Sequence, residues 1–199
     1  NRMELFEKQT GSREIYNGKI LHVFCDDVLL PNGNASKREY IKHNGAVCVI
    51  PITKEKEVCC VRQFRYPFDE VTLEIPAGKL DGPKENPEKA ALRELHEETG
   101  LRCEKLTYLG DMYGSPAILG ERVYMYMAEE LYQGEAEPDA DEFLEFVRIP
   151  LRTLYRRVMD GQIPDAKTQI AVLKAYDAVY HNEPAAFVKG PENREERER

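Results

Sequence analysis

Apolar residues gather along the chain in short blocks of two kinds, and the blocks predict strands for most of its length and helices at its end. Residues 20–30 are rich in apolar side chains, Pro31-Asn32-Gly33 has turn chemistry, and 36–43 follows as a second strand. Residues 45–52 and 58–64 are nearly continuous apolar runs, as expected of central strands covered on both faces. A short strand over 72–75 ends at Pro76, and further strands are expected over 106–109, 122–128 and 143–149. The clearest helix runs over 87–99. Asn86 suits its N-cap, Pro87 its first position, and Gly100 its left-handed stop. Two more helices are expected over 151–159 and 166–181. Strands around one central helix, with helices following, predict a mixed sheet packed by helices on its faces.

The chain of 199 residues suits one domain with a full core plus a small N-terminal extension. We expect the extension over 1–44, the main domain over 45–185, and a charged, solvated tail over 186–199. No apolar run approaches the roughly 20 residues of a membrane helix, and the N-terminus lacks an apolar secretory segment, so a cytoplasmic protein is expected. A net charge of −8 argues against a nonspecific nucleic-acid binder. It also means that an anionic substrate needs a local reversal of the field by metal ions or arginines. The five cysteines form no Cys-x-x-Cys pair. They are read as small core residues in a reducing compartment, with adjacent Cys59 and Cys60 on opposite faces of a strand.

The helix over 87–99 carries an unfavourable charge pattern. At about 100° per residue, Glu94, Glu97 and Glu98 fall within an arc of roughly 100°. Like charges at these spacings cost about 0.2–0.5 kcal/mol per pair. Glu97 and Glu98 also sit at the negative end of the helix dipole, at roughly 0.3–1 kcal/mol each. A hard divalent cation removes both penalties, since clustered oxygen ligands suit Mg²⁺ or Mn²⁺. A merely solvated acidic face is the plain alternative. Ala91, Leu92 and Leu95 form the adjoining face expected to pack on the sheet, while Ala90 lies within the acidic arc and leaves room there. Upstream, Gly78 and Gly82 permit a tight loop close to a ligand.

These residues resemble the Nudix hydrolase family. Its box reads Gly, five residues, Glu, seven residues, then Arg-Glu-aliphatic-x-Glu-Glu-x-Gly-aliphatic. Here Gly78 opens the box, and Glu85, seven residues and Arg93-Glu94-Leu95-His96-Glu97-Glu98-Thr99-Gly100-Leu101 complete it. One departure is visible: six residues separate Gly78 from Glu85, an insertion read into the Asp81-Gly82-Pro83-Lys84 loop. The resemblance implies an α/β/α sandwich with a mixed sheet and an N-terminal strand extension. It implies metal held by Glu94, Glu97 and Glu98 with help from the Ala77 carbonyl. Arg93 then orients a carboxylate, its plain role being an i,i+4 pair with Glu97.

Pro116 lies sixteen positions beyond Gly100, the spacing of the ADP-ribose pyrophosphatase subgroup. Further likeness lies in Leu30-Pro31-Asn32-Gly33, Lys37-Arg38-Glu39, His43-Asn44-Gly45-Ala46-Val47, Arg62-Gln63-Phe64-Arg65, Ile75-Pro76-Ala77-Gly78 and Asp165-Ala166-Lys167-Thr168, so the resemblance runs from about Gly18 to Tyr180. Glu121 then stands where the subgroup keeps an acidic residue that acts as, or positions, the base. Ala117 replaces the usual glycine of that loop, implying a stiffer segment. The resemblance places Arg65, Arg38, Glu39, Gly78 and Pro116 at the substrate, and Glu121, Glu97 and Arg93 in catalysis. It implies hydrolysis of ADP-ribose to AMP and ribose 5-phosphate by a homodimer with exchanged N-terminal strands. Phe24 is the candidate to stack on the base, since Ile20 is not aromatic. The alternatives are another nucleotide sugar such as GDP-mannose, a catalytically silent nucleotide sensor, or a plain interaction domain.

Overall fold

The structure, a computed structural model, describes residues 5–134 and 144–181. The expected charged tail over 186–199 and the first residue of the strand expected over 143–149 lie outside them. The described residues divide into two compact units, one of those up to Gly45 together with Tyr113–Arg122, the other of Ala46–Met112 and those from Val123 on.

The first unit holds the antiparallel sheet β1–β2–β3, formed by Lys8–Asn17, His22–Leu29 and Ala35–Lys42. The turn at Pro31-Asn32-Gly33 joins the last two, closed by the Gly33 amide donating to the Leu30 carbonyl at 2.8 Å. The strand expected from residue 20 begins at His22, and β1 was not foreseen at all. The reason is physical. β1 is exposed along nearly its whole length, and two register shifts interrupt its pairing, so it has no alternating apolar pattern to read.

The second unit is the α/β/α sandwich. Its mixed sheet has the order β7–β4–β9–β8, from Ala77–Lys79, Ala46–Pro51, Val123–Gln133 and Leu101–Met112. β4 runs parallel to β9 and antiparallel to β7. A second antiparallel sheet orders β10–β5–β6, from Glu145–Pro150, Glu57–Arg65 and Glu70–Glu74. Every residue of β4 is buried, and successive side chains feed two different cores. Val47 and Val49 join Ala90, Ala91 and Leu95 of helix α1, Pro87–Thr99. Cys48 and Ile50 join Leu151 and Leu154 of α2, Leu151–Met159, and Ala171 and Val172 of α3, Ala166–Tyr180. The same alternation sends Cys59 to the first core and Cys60 to the second, as adjacent strand positions require. Burial pushes the Cys59 thiol up to about 11 and the Cys60 thiol up to about 12. None of the five cysteines is in a disulfide. Among the described residues, no helix is long and apolar enough to cross a membrane.

α1 is built from its predicted local signals. The Asn86 side chain accepts from the Lys89 amide at 3.1 Å, Pro87 opens the first turn, and Gly100 stops the helix in the left-handed region. Its packing face is rotated from the expected one. Ala90, Ala91 and Leu95 are fully buried, whereas Leu92 is 39% exposed. The sheet is met by the stripe through 90, 91, 94, 95 and 98, so Ala90 is core, and the acidic arc borders the sheet instead of facing open solvent.

Candidate active site

The strap Pro76–Lys79 enters the second unit's site first. The Val49 amide donates to the Pro76 carbonyl at 2.9 Å, and β7 continues as an edge strand on β4. This lays the strap backbone against the acidic arc of α1. A side chain at Gly78 would put its first carbon 1.9 Å from the Glu94 carboxyl carbon and 2.0 and 2.2 Å from its oxygens. Any Cβ here would displace the Glu94 carboxylate, so glycine is favoured by contact and not by dihedral angle, and Glu94 fills the room that a Cβ would take. Four residues on, Glu98 accepts from the Ala77 amide at 3.2 Å. Both carboxylates are 8% exposed.

Arg93 ties the parts together. Its Nη1 donates to Glu94 at 2.7 Å and to Glu97 at 2.9 Å. Its Nη2 donates to the Lys79 carbonyl on the strap at 3.2 Å and to Glu85 at 3.4 Å. Glu85 in turn accepts from the Asp81 amide at 2.5 Å. The loop with the extra residue thus still delivers Glu85 to Arg93. Burial works against the Arg93 charge, but Glu94 and Glu97 outweigh it and hold the pKa above the ordinary guanidinium value. Arg93 makes the i,i+4 pair of its plain reading and also contacts Glu94 and Glu85, so it clamps helix, strap and loop.

Among the described residues, no three histidine, cysteine or acidic side chains converge closely enough to hold a metal ion as they are placed. Arg93 draws Glu94 and Glu97 together, and Glu98 turns to the strap. The donor chemistry nevertheless fits a hard divalent cation. Two nearly buried carboxylates, a third beside them and a backbone strap in contact with one of them form an oxygen-rich cradle.

A buried ionic network, not foreseen from the sequence, holds the other end of the strap. Glu74, 2% exposed, accepts a forked pair from Arg65, Nε at 2.7 Å and Nη2 at 2.6 Å. Thr72 donates to it at 2.6 Å, and Lys167 of α3 makes a very short contact with it. Lys167 also donates to Asp165 at 2.9 Å, and Asp165 caps α3. Thr168, fully buried, accepts from the Ile75 amide at 2.9 Å, one residue before Pro76. Burial alone would raise the Glu74 pKa. The Arg65 fork and the Lys167 charge prevail and bring it down to about 2. The Glu74 fork raises the Arg65 pKa, with a smaller contribution from the charge of Glu98. Arg65 is thus the arginine built into this end of the strap, while Arg62 is an exposed partner of Glu145. Glu74 and Lys167 lie 93 residues apart, so no local spacing could have joined them.

The first unit holds the remaining candidates. Glu121 ends the loop Tyr113–Arg122, and its Oε1 lies 3.6 Å from His43 Nε2. Pro116 sits in a turn whose Ser115 carbonyl accepts from Ile118 at 3.1 Å and Leu119 at 2.9 Å. Ala117 is not among the residues with positive φ, so the turn does not require the glycine it replaces. Arg38 forks onto Glu7 at 2.8 and 2.5 Å, and Glu39 is exposed on β3. Phe24 stacks on Tyr40 at 5.9 Å between centroids, with Lys42 Nζ 5.6 Å from its ring centre.

Comparison with known proteins agrees with this geometry. Residues 42–169 match the NUDIX domain model, and 7–41 match the nucleoside diphosphate sugar hydrolase N-terminal domain. The ADP-ribose pyrophosphatase of Bacillus subtilis (strain 168) is 44% identical over 84% of this chain and 91% of its own. The methanol dehydrogenase activator of Bacillus methanolicus is 40% identical over 89% of this chain and 98% of its own. A crystal structure of an ADP compounds hydrolase superposes with a TM-score of 0.78 at 22% identity, over 90% of this chain and 96% of that one, which speaks to the fold. With its box running from Gly78 to Leu101, one residue longer in the loop before Glu85, and its sandwich laid out around α1, the chain belongs to the Nudix family.

Proposed function

We propose that the protein hydrolyses the diphosphate of ADP-ribose to AMP and ribose 5-phosphate, with Mg²⁺ or Mn²⁺ held by Glu94, Glu97, Glu98 and the Ala77 carbonyl. The observation that carries this reading is the contact of the Gly78 backbone with the nearly buried Glu94 carboxylate, beside Glu98. When bound, the cation neutralises phosphate charge and acidifies water. The chain's own residues do the rest. Arg93 orients Glu94 and Glu97. Arg65, aimed by Glu74, offers its remaining donors to a phosphate oxygen. Glu121 takes the proton of the attacking water as the new P–O bond forms and the bridging P–O bond breaks. Arg38 and Glu39 on β3 contact the nucleoside or the terminal ribose, and Pro116 shapes the loop that ends at Glu121. A cytoplasmic homodimer that exchanges its N-terminal strands completes the proposal. Cysteines outside any disulfide support a reducing compartment.

A panel of nucleoside diphosphate sugars with Mg²⁺ tests the substrate. ADP-ribose is expected to turn over fastest, and rapid GDP-mannose hydrolysis with none of ADP-ribose overturns the choice. Glu98→Gln is expected to lower turnover beyond the roughly 10–100-fold typical of groups outside the metal's inner sphere, with folding retained. If wild type and Glu98→Gln both bind nucleotide and neither hydrolyses it, the sensor reading takes its place.

A further inference from the structure

We infer that His43 is a positioning residue for Glu121, holding its carboxylate in the orientation that receives the water proton. The inference rests on the reading of Glu121 as the base, and its own support lies in the geometry of the first unit.

The end of β3 and the Glu121 loop run side by side. Ile41 and Leu119 form a parallel bridge. The Ile41 amide donates to the Ile118 carbonyl at 2.7 Å, and the Gly120 amide donates to the Ile41 carbonyl at 2.9 Å. His43 lies two residues beyond Ile41, and Glu121 two beyond Leu119. In a parallel pairing this common offset brings the two side chains to the same face. The base of the loop is closed as well. Arg122 donates to the Tyr113 hydroxyl at 2.8 Å, and its guanidinium lies 5.5 Å from the Tyr113 ring centre.

The imidazole is fixed from its other side. The Gly45 amide donates to His43 Nδ1 at 3.0 Å. Gly45 itself has a φ of 105°, a conformation that an L side chain rarely adopts. With Nδ1 as acceptor, the proton of the neutral ring resides on Nε2. Nε2 faces Glu121 Oε1 at 3.6 Å, a separation that a small side-chain rotation closes to a hydrogen bond. The two side chains are 14% and 23% exposed. The arrangement has the logic of a base oriented by a third group, itself held by the backbone.

Two substitutions separate this role from a structural one. His43→Asn places an amide oxygen near the Nδ1 position, keeping the Gly45 contact and losing the reach to Glu121. His43→Gln places an amide N–H near the Nε2 position, keeping the donor to Glu121 and losing the Gly45 contact. Each is measured in the full-length protein with Mg²⁺ and the nucleotide sugar that turns over fastest in the panel above, alone and combined with Glu121→Gln. We expect His43→Asn to lower kcat about ten- to a hundredfold with little change in KM, the scale of a misplaced reacting group. His43→Gln should recover most of that loss, and His43→Asn should add nothing in the Glu121→Gln background. Thermal melts keep folding in view. A purely structural His43 reverses the order, with Asn tolerated and Gln impaired, and that order overturns the inference. So do equal effects of both variants while Glu121→Gln alone is slow, an outcome that leaves the base reading standing. Unchanged turnover in Glu121→Gln removes the base reading and the inference with it.

Discussion

Gly78 decides how closely the strap can approach the acidic face of α1. A methyl group there would take the place of the Glu94 carboxylate, which Arg93 holds at 2.7 Å, so either that carboxylate swings away from Arg93 or the strap lifts from β4. Gly78→Ala is therefore expected to destabilise the fold by about 1–3 kcal/mol, the usual scale of overpacking. Hydrolysis should fall by more than stability alone explains, because the shift is forced on Glu94 itself. Gly82→Ala is the control, since nothing lies within 4 Å of a Cβ there and the backbone is not in the left-handed region. Urea midpoints and kcat for both variants check this. Equal behaviour of the two alanines would mean that the Glu94 carboxylate or the strap gives way freely.

At the scale of elements, legibility followed locality. α1 keeps its predicted limits because its caps are written within a few residues, and α2 keeps its own through helical periodicity alone. The carboxylate cluster was legible for the same reason, as i, i+3 and i+4 are neighbours on any helix. β7 was invisible because three residues form a strand only through pairing with β4. β8 extends well beyond the segment expected over 106–109 because β9 supplies its partners residue by residue. The Glu74–Lys167 and His43–Glu121 pairs join distant segments, and no spacing rule reaches them. The local character of α1 has a testable side. Asn86→Ala removes the cap to Lys89 and is expected to lower stability by about 1 kcal/mol while leaving kcat unchanged, since the cap sits at the opposite end of the helix from Glu97 and Glu98. An unchanged denaturation midpoint would show that burial of Ala90 and Ala91 fixes the helix start unaided.

For the molecule as a whole, the buried network around Glu74 couples its stability to pH. The network joins β5, β6 and α3, and through Thr168 it reaches the strap. Glu74 ionises near 2 in the folded protein against an ordinary 4.5, so its folded-state pKa is depressed. A depressed carboxylate contributes stability that is complete above the unfolded value and is lost as pH falls through the folded one. The window is therefore about 4.5 down to about 2. Glu74→Gln removes that contribution and leaves Lys167 and Arg65 short of a buried counter-charge, which in general costs about 3–5 kcal/mol at neutral pH. The free-energy gap between wild type and Glu74→Gln should thus be widest near pH 7 and narrow as the pH is lowered through this window. Urea unfolding of both proteins at stepped pH measures it. A gap of constant width down to the acid limit would mean that Glu74 is already protonated at neutral pH and that the network holds the strap by packing alone.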